Sequence, residues 1–373
     1  MTRKWACLAM VFILMVLFAC APKPASVPSA PASQPAAPAA ALSVAPSQSP
    51  EDVAWSRVVE AAKKEGKVTI YSYNMTGDTS IAISRAFKEK YGISVDIVSG
   101  RGAELVERIL TEQRTGQIAA DLMDSGPTTL YTLKDAKLTV SSAEIPVLQE
   151  KDVWLVDPRV SDETGHILVH SLSSNYGAFI NTQLVKAGDE PRSLRDLTQP
   201  KWAGKMVIQD PTFSSAAYNF YYTLLRRKFV DLETVRAVGR NEVKFAMNLV
   251  SAAMEVGKGN YALQAGAPDS GYASLVMEGA PVKALAFEEG TVLSGSAIAA
   301  INKAPHPNAA KLVVNWLLTP EGQIAFVKTQ NRLSPRKDVP DFRPEALRIP
   351  PIRLIATTHE DDVENNRAFM EKF

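Results

Sequence analysis

The sequence predicts an α/β fold of about two domains, set behind a separate N-terminal address and tether. Three observations lead there. From residue 67 onward, short β-rich runs alternate with helical apolar stripes, which implies a mostly parallel sheet. The alternation restarts after about residue 166, and at roughly 150 residues per domain a body of this length holds about two. The first 50 residues differ in kind: they contain no Asp or Glu and only Arg3, Lys4 and Lys23 of the 41 basic residues.

Arg3 and Lys4 precede an apolar run over 5–19. The run suits a signal-peptide core and falls short of the ~20 residues a spanning helix needs. No later stretch is long and apolar enough to span. The run ends LFAC, which resembles a bacterial lipobox, so residues 1–20 read as a lipoprotein signal peptide with Cys20 as the lipidated residue. The alternative is an ordinary signal with a chance cysteine. The other cysteine, Cys7, lies inside the apolar run, so lipidation of Cys20 would leave no thiol for a disulfide, a metal or a nucleophile. Residues 21–50 hold 10 Ala, 8 Pro and 6 Ser. Such a segment cannot bury enough surface to fold, and proline stiffens it into an extended tether.

In the body, residues 51–65 carry an amphipathic stripe (Val53, Trp55, Val58, Val59, Ala62) and form a helix that Gly66 ends. Residues 67–72 are the first strand. A helix over about 79–91, a strand over 93–98, a helix from about Gly102 and a strand over 120–123 follow. Further extended runs fall at 167–170, 178–180, 205–209, 261–265, 282–287 and 296–301. Ala217, Phe220, Tyr221, Leu224 and Leu225 mark one helix. Residues 241–256 mark another, with Ala246, Leu249, Val250 and Ala253 on one face. A helix with Ala309, Leu312, Val313, Trp316 and Leu317 inward precedes Thr319-Pro320-Glu321, the N-cap, N1 proline and early acid of the next.

Charge and motifs exclude several functions. Beyond residue 50 there are 38 basic and 40 acidic residues, a formal charge of −2, with no basic excess for nucleic acid. There is no G-x-S-x-G, no Gly-Lys followed by Ser or Thr, and no complete dinucleotide fingerprint. The chain therefore reads as a non-enzyme with no cofactor and no metal. His166 and His170 have zinc-pair spacing for a helix, but Ile-Leu-Val between them favours a strand, which sets them roughly 13 Å apart. The acidic cluster at 359–362 reads as the first turn of a last helix.

Four times a strand ends in a loop rich in Ser, Thr, Asn, Gly or Tyr before a helix: 72–78, 99–102, 124–129 and 210–215. In open α/β sheets ligands sit outside the carboxyl ends of strands, where helix N-termini offer free N–H groups to oxyanions. Convergence of the four loops would build one site. If each loop only caps its helix, they need not meet.

At this point the chain resembles bacterial extracellular solute-binding proteins, in the group serving ferric iron, thiamine and phosphonate-type ABC importers. The resemblance rests on VTIYS at 68–72, AFKEKYG at 86–92, GAELVERI at 102–109, NYGAFINT at 175–182, PKWAGK at 200–205, GAPV at 279–282, EGT at 289–291 and APHPNAAKLVVNWLLTPEGQ at 304–323. It implies a two-lobed, type II periplasmic-binding-protein-like flytrap with two interdomain crossovers. Lobe 1 would be 66–173 plus 291–345, lobe 2 would be 174–290, and residues 346–373 would pack back on the lobes. It also implies a monomer, held at the extracytoplasmic face of a membrane, that closes on a small solute and docks on ABC permease subunits.

For the ligand, the loops suit an anionic or zwitterionic organic solute. Arg101 would pair with a carboxylate, phosphonate or phosphate, or else be a solvated loop residue. Ser125, Thr212, Ser214 and Ser215 would donate to ligand oxygens, and Tyr73 and Asn74 would wall the cleft. Asp269 would meet an amino or hydroxyl group or only shape a turn, and Tyr272 would stack on the ligand or belong to the core. Two alternatives remain open at this stage: ferric iron or a ferric complex as cargo, and a sensor that hands its closed form to a membrane receptor. The adjacent Tyr pair of ferric relatives has no match in the loop at 266–272, and Tyr221 of the pair Tyr221–Tyr222 falls on an apolar helical stripe.

Overall fold

The computed structural model describes residues 49–212, 215–349 and 353–356. Cys20 and the other readings made for residues 1–48 lie outside these, as do Ser214 and the acidic cluster at 359–362.

Ser49 caps helix α1 (Pro50–Glu65) through a reciprocal box with Asp52, so the helix starts slightly inside the segment read as tether; Gly66 ends it in a left-handed conformation. Strand β1 (Lys67–Ser72), helix α2 (Gly77–Tyr91), strand β2 (Ser94–Ser99), helix α3 (Gly102–Thr115), strand β3 (Leu122–Ser125) and helix α4 (Pro127–Asp135) then alternate as expected. A short β4 (Thr139–Val140) precedes β5 (Leu168–Asn175), which passes through Tyr176 alone into β6 (Gly177–Asn181). There follow β7 (Met206–Gln209), α5 (Ala216–Arg226), α6 (Leu232–Gly239), β8 (Lys244–Ala246), α7 (Leu249–Gly257), β9 (Leu263–Ala265), α8 (Ala273–Met277) and β10 (Val282–Ala286). The described chain closes with β11 (Thr291–Ile301), α9 (Pro307–Leu317), α10 (Pro320–Gln330) and β12 (Leu354–Ala356).

These strands form two sheets. In the first the order is β12-β11-β3-β1-β2, with β4 and β5 also paired to β11; β1 is parallel to β2 and β3, and β11 is antiparallel to β3 and β5. The second has the order β10-β6-β9-β7-β8. Successive side chains of a strand enter opposite layers. Ile70 packs with Ile83, Phe87 and Trp316, while Tyr71 packs with Leu105, Ile109 and Leu130. In the second sheet Ile208 joins Leu194 and Phe220, and Val207 joins Phe179, Ala253 and Tyr272.

The chain passes between the sheets twice, from β5 to β6 and from β10 to β11. Val292, at the start of β11, already packs in the core of the second sheet, while Ile298 packs in the first. β5 and β11 thus form an antiparallel ribbon that runs out of the first sheet toward the second. After α10 the chain meets this ribbon where Leu333 pairs with Leu172, then bridges to Trp154 through Arg336, and Leu347 is buried beside Tyr176 at the crossing.

One helix differs from expectation. Residues 244–246 pair with β7 as a parallel edge strand, and the helix begins only after Asn248, whose side chain accepts from the Ser251 N–H. Phe245 favours a strand, and the Asn248 cap is a stronger start signal than the stripe drawn from 241. The inward face is therefore Ala252, Ala253 and Val256, and Val250 is 61% exposed.

Candidate functional site

The four strand-end loops converge. A cleft of about 350 Å³ is lined by Tyr73 after β1, Gly102 and Ala103 at the start of α3, and Ser125 to Thr129 at the start of α4. Ser215 and Asn219 of α5 face them from the second sheet, and Ser294 and Gly295 of β11 run between.

Asp124 holds the first and third loops together. Its carboxylate is fully buried at the end of β3 and accepts from Ser72 Oγ, from Asn74 N and Nδ2 at 3.2 Å, and has His170 Nε2 at 2.7 Å. The Tyr73 N–H donates to the Asp124 carbonyl at 2.9 Å. With Ser72 and Asn74 turned inward, the Tyr73 ring is left projecting outward, 57% exposed. Burial alone would raise the Asp124 carboxyl, but the bonds from His170, Ser72 and Asn74 outweigh it and hold it below the ordinary value of 3.8. A depressed carboxyl stabilises the fold above its ordinary value and loses that contribution as pH falls through the folded-state value. Melting temperature of the native protein should therefore drop steeply below about pH 4, whereas Asp124→Asn should start lower by roughly 2–4 kcal/mol and lose less over the same range. Parallel pH dependence of the two melting curves would show that Asp124 does not carry this effect.

The second loop brings α3 against α4. A Cβ on Gly102 would lie 3.1 Å from Ser125 Oγ and 3.2 Å from Thr129, so the two helix starts are in contact. Neither has a side-chain cap at the residue before it, Arg101 for α3 and Gly126 for α4, although in α4 Pro127 carries no N–H and the Thr129 N–H donates to the Gly126 carbonyl at 3.1 Å. Two uncapped helix N-termini thus open onto the cleft, with their positive dipole ends toward it. On the opposite wall Ser215 caps α5, accepting from the Tyr218 N–H at 3.1 Å.

Of the residues expected here, Tyr73, Ser125 and Ser215 line the cleft. The other described ones have different surroundings. Asn74 is nearly buried and spent on Asp124. Arg101 points to solvent, its side chain 85% exposed and 3.6 Å from Glu104. Thr212 is exposed and closes a turn by donating from N–H and Oγ1 to Asp210 at 2.8 and 2.6 Å. Asp269 is fully buried and bonded to Arg343 and to the Ser174 N–H, and its carbonyl accepts from the Tyr272 N–H at 2.9 Å in a turn. Tyr272 is a core residue: its ring stacks on Phe179 at 3.9 Å, its hydroxyl donates to Gln264 at 2.8 Å, and burial pushes its ionisation well above the usual phenol range.

Other lining residues were not singled out. Thr128 and Thr129 lie within a recognised loop, Asn219 lies one turn beyond Ser215, and Ser294 sits on a part of β11 that no periodicity marked. His166 and His170 do not meet: His166 Nδ1 is 2.9 Å from Thr139 Oγ1, while His170 faces Asp124. Tyr221 is fully buried, and Tyr222 stacks on Tyr218. Among the described residues no group of three or more His, Cys, Asp or Glu could hold a metal ion, and no helix is long and apolar enough to cross a membrane.

Comparison with known proteins shows the family and the fold. The model of the family described as "Bacterial extracellular solute-binding protein" matches residues 68–329. Iron-bound HitA from Pseudomonas aeruginosa is 22% identical, with a TM-score of 0.60 over 77% of this chain and 90% of that one. A Trichodesmium protein (IdiA, FutA) with iron and citrate ligands is 20% identical, with a TM-score of 0.63 over 76% and 90%. The periplasmic binding protein AfuA from Actinobacillus pleuropneumoniae, with fructose-6-phosphate bound, is 20% identical, with a TM-score of 0.59 over 74% and 87%. The two-sheet α/β architecture is the one these two-lobed proteins share.

Proposed function

Because the chain belongs to the bacterial extracellular solute-binding proteins, we propose that it captures a small anionic or zwitterionic organic solute in this cleft and delivers it to the permease of an ABC importer. The observation that carries the reading is the meeting of two uncapped helix N-termini, α3 and α4, with the Ser215–Asn219 face of α5 across one cavity. Backbone N–H groups at such termini bind oxyanions without a metal. The two sheets act as lobes, 66–173 with 291–345 and 174–290, and close about the β5–β11 ribbon. Only a ligand that contacts both walls better when shut can drive that closure.

A ferric cargo is the second reading, supported by the iron named for two of the relatives. The described lining weighs against it, since it holds Tyr73 and Tyr131 but no His, Asp or Glu. Ferric ion bound there would need oxygen ligands from an accompanying anion. On the preferred reading Cys20 carries the lipid, and the Ala/Pro/Ser-rich segment keeps the body near the membrane while leaving it free to search.

The test is a thermal-shift screen of carboxylates, sugar phosphates, phosphonates, amines and ferric salts, run on the native protein and on Thr128→Trp and Asn219→Trp. These two substitutions fill the cleft from opposite walls. The expected hit is an organic anion or zwitterion that raises the melting temperature of the native protein and shrinks it in small-angle scattering, with both effects lost in both variants. A hit that both variants bind as well as the native protein would place the site elsewhere.

A further inference from the structure

A cation near the helix starts would strengthen their hold on an anion, and Arg101 is turned to solvent, its side chain 85% exposed. Arg332 follows helix α10, where Asn331 turns into a left-handed conformation and the Arg332 N–H donates back to Val327. Leu333 then pairs with Leu172, which lays Arg332 against the β5–β11 ribbon. Its Nη1 donates to Ser296 Oγ of β11 and reaches Ser171 Oγ of β5 at 3.5 Å. Ser171 and Ser296 are directly opposite in the ribbon, and the next pair on the same face is Ser173 and Ser294. Ser294 lines the cleft. Ser173 Oγ is buried with no hydrogen-bond partner, and so is Arg332 Nε.

Among the described residues no carboxylate pairs with Arg332. Asp124 and Asp269 are close enough to favour its charge, but each carboxylate is bonded elsewhere: Asp124 to His170, Ser72 and Asn74, Asp269 to Arg343 and Ser174. A guanidinium enclosed this far with only neutral hydroxyl partners is under-compensated. The residue is nevertheless not sealed off, since part of it still reaches solvent.

Resting on the proposed solute-binding function, we infer that Arg332 is the anion-recognising residue of the cleft, taking a carboxylate, phosphate or sulfate group of the solute with the hydroxyls of Ser171, Ser173, Ser294 and Ser296 beside it. The oxyanion replaces the missing counter-charge and occupies the donors that the ribbon leaves unused. Because Arg332 bonds side chains of both ribbon strands, the anion is read at the hinge itself, and the uncapped helix starts take the rest of the ligand.

The experiment measures binding of sulfate, inorganic phosphate and citrate, with neutral fructose and cationic putrescine as controls, by titration calorimetry and thermal shift. The proteins are native, Arg332→Gln and Arg332→Lys. The native protein is expected to bind at least one of the three anions. Arg332→Gln should weaken that binding by about tenfold or more, and Arg332→Lys by about threefold or more for citrate, since a lysine keeps the charge but loses the two-pronged donor geometry. Should Arg332→Gln fail to fold, Arg332→Lys decides: native affinity for every anion overturns the inference. A lower melting temperature of Arg332→Gln with unchanged anion affinity would also overturn it and leave Arg332 as a staple of the ribbon. Binding of fructose or putrescine but of no anion would sink the inference while the solute-binding function stands. Ligand responses that stay at the native level in both Thr128→Trp and Asn219→Trp would remove both.

Discussion

Arg343→Met is expected to destabilise the fold by about 3–5 kcal/mol, because it strands a buried carboxylate. Arg343 is 5% exposed and Asp269 is fully buried. One guanidinium nitrogen donates to Asp269 Oδ2, to Ser174 Oγ at 3.1 Å and to the Tyr176 hydroxyl at 2.9 Å, and the other terminal nitrogen donates to Asp341 at 2.7 Å. Without Arg343, Asp269 keeps the Ser174 N–H and little else. Burial already raises the Asp269 carboxyl above its ordinary value, and Arg343 pulls it only part of the way back. A raised carboxyl is most compatible with the fold below its ordinary value and loses that contribution as pH rises through the folded-state value. The gap between native protein and variant should therefore be smallest in acid and widen toward neutral pH in urea denaturation. The double variant Arg343→Met with Asp269→Asn should recover much of the loss, and a pH-independent gap would count against the stranded charge as its cause.

Gly177→Ala should be at least as damaging, at roughly 3 kcal/mol or more. Gly177 is the first residue past the β5–β6 crossing and has φ of 139°, a conformation that side-chain-bearing residues avoid. A Cβ there would fall 2.3 Å from the ring of Phe287, which is fully buried in the second sheet's core. Phe287 is also tied by its N–H to the Tyr176 carbonyl at 2.8 Å, so the ring cannot retreat without dragging the crossing with it. Shortening the obstacle in Gly177→Ala with Phe287→Leu relieves the clash but not the backbone strain. Soluble yield and melting temperature should recover partially. Full recovery would mean the unusual φ contributes nothing, and a near-native melting temperature for Gly177→Ala alone would contradict the packing described.

The alternation of strands and helices was legible because it follows from local chemistry. Lys67–Ser72 is β-rich and flanked by Gly66 and a polar loop, and Thr319-Pro320 marks a helix start that the Thr319 side chain does cap, accepting from the Gly322 N–H. The convergence of the four loops was legible for a topological reason: parallel strands present their carboxyl ends on one edge. What failed was long-range pairing. Nothing near Asp269 announces Arg343, which is 74 positions away. Arg101 sits in the right loop but turns toward Glu104 on its own helix, a local choice that a pattern of residue types does not reveal. Tyr272 could not be told from a ligand-stacking ring until Phe179 was seen against it. The stripe at 241–256 shows that apolar periodicity alone does not exclude an edge strand at its beginning.

The position of β11 also governs how the molecule is made. Ser125 at the end of β3 pairs with Ala297, and β5 finds its partner in the same late strand. A chain that reaches the extracytoplasmic side N-terminus first exposes β3 for an interval before that partner follows. Throughout that interval β3 presents open N–H and C=O groups, a template for any other nascent chain. Fragments that stop before residue 291 are therefore expected to precipitate rather than persist as a working half, and chaperone occupancy should be concentrated on the first two-thirds of the chain.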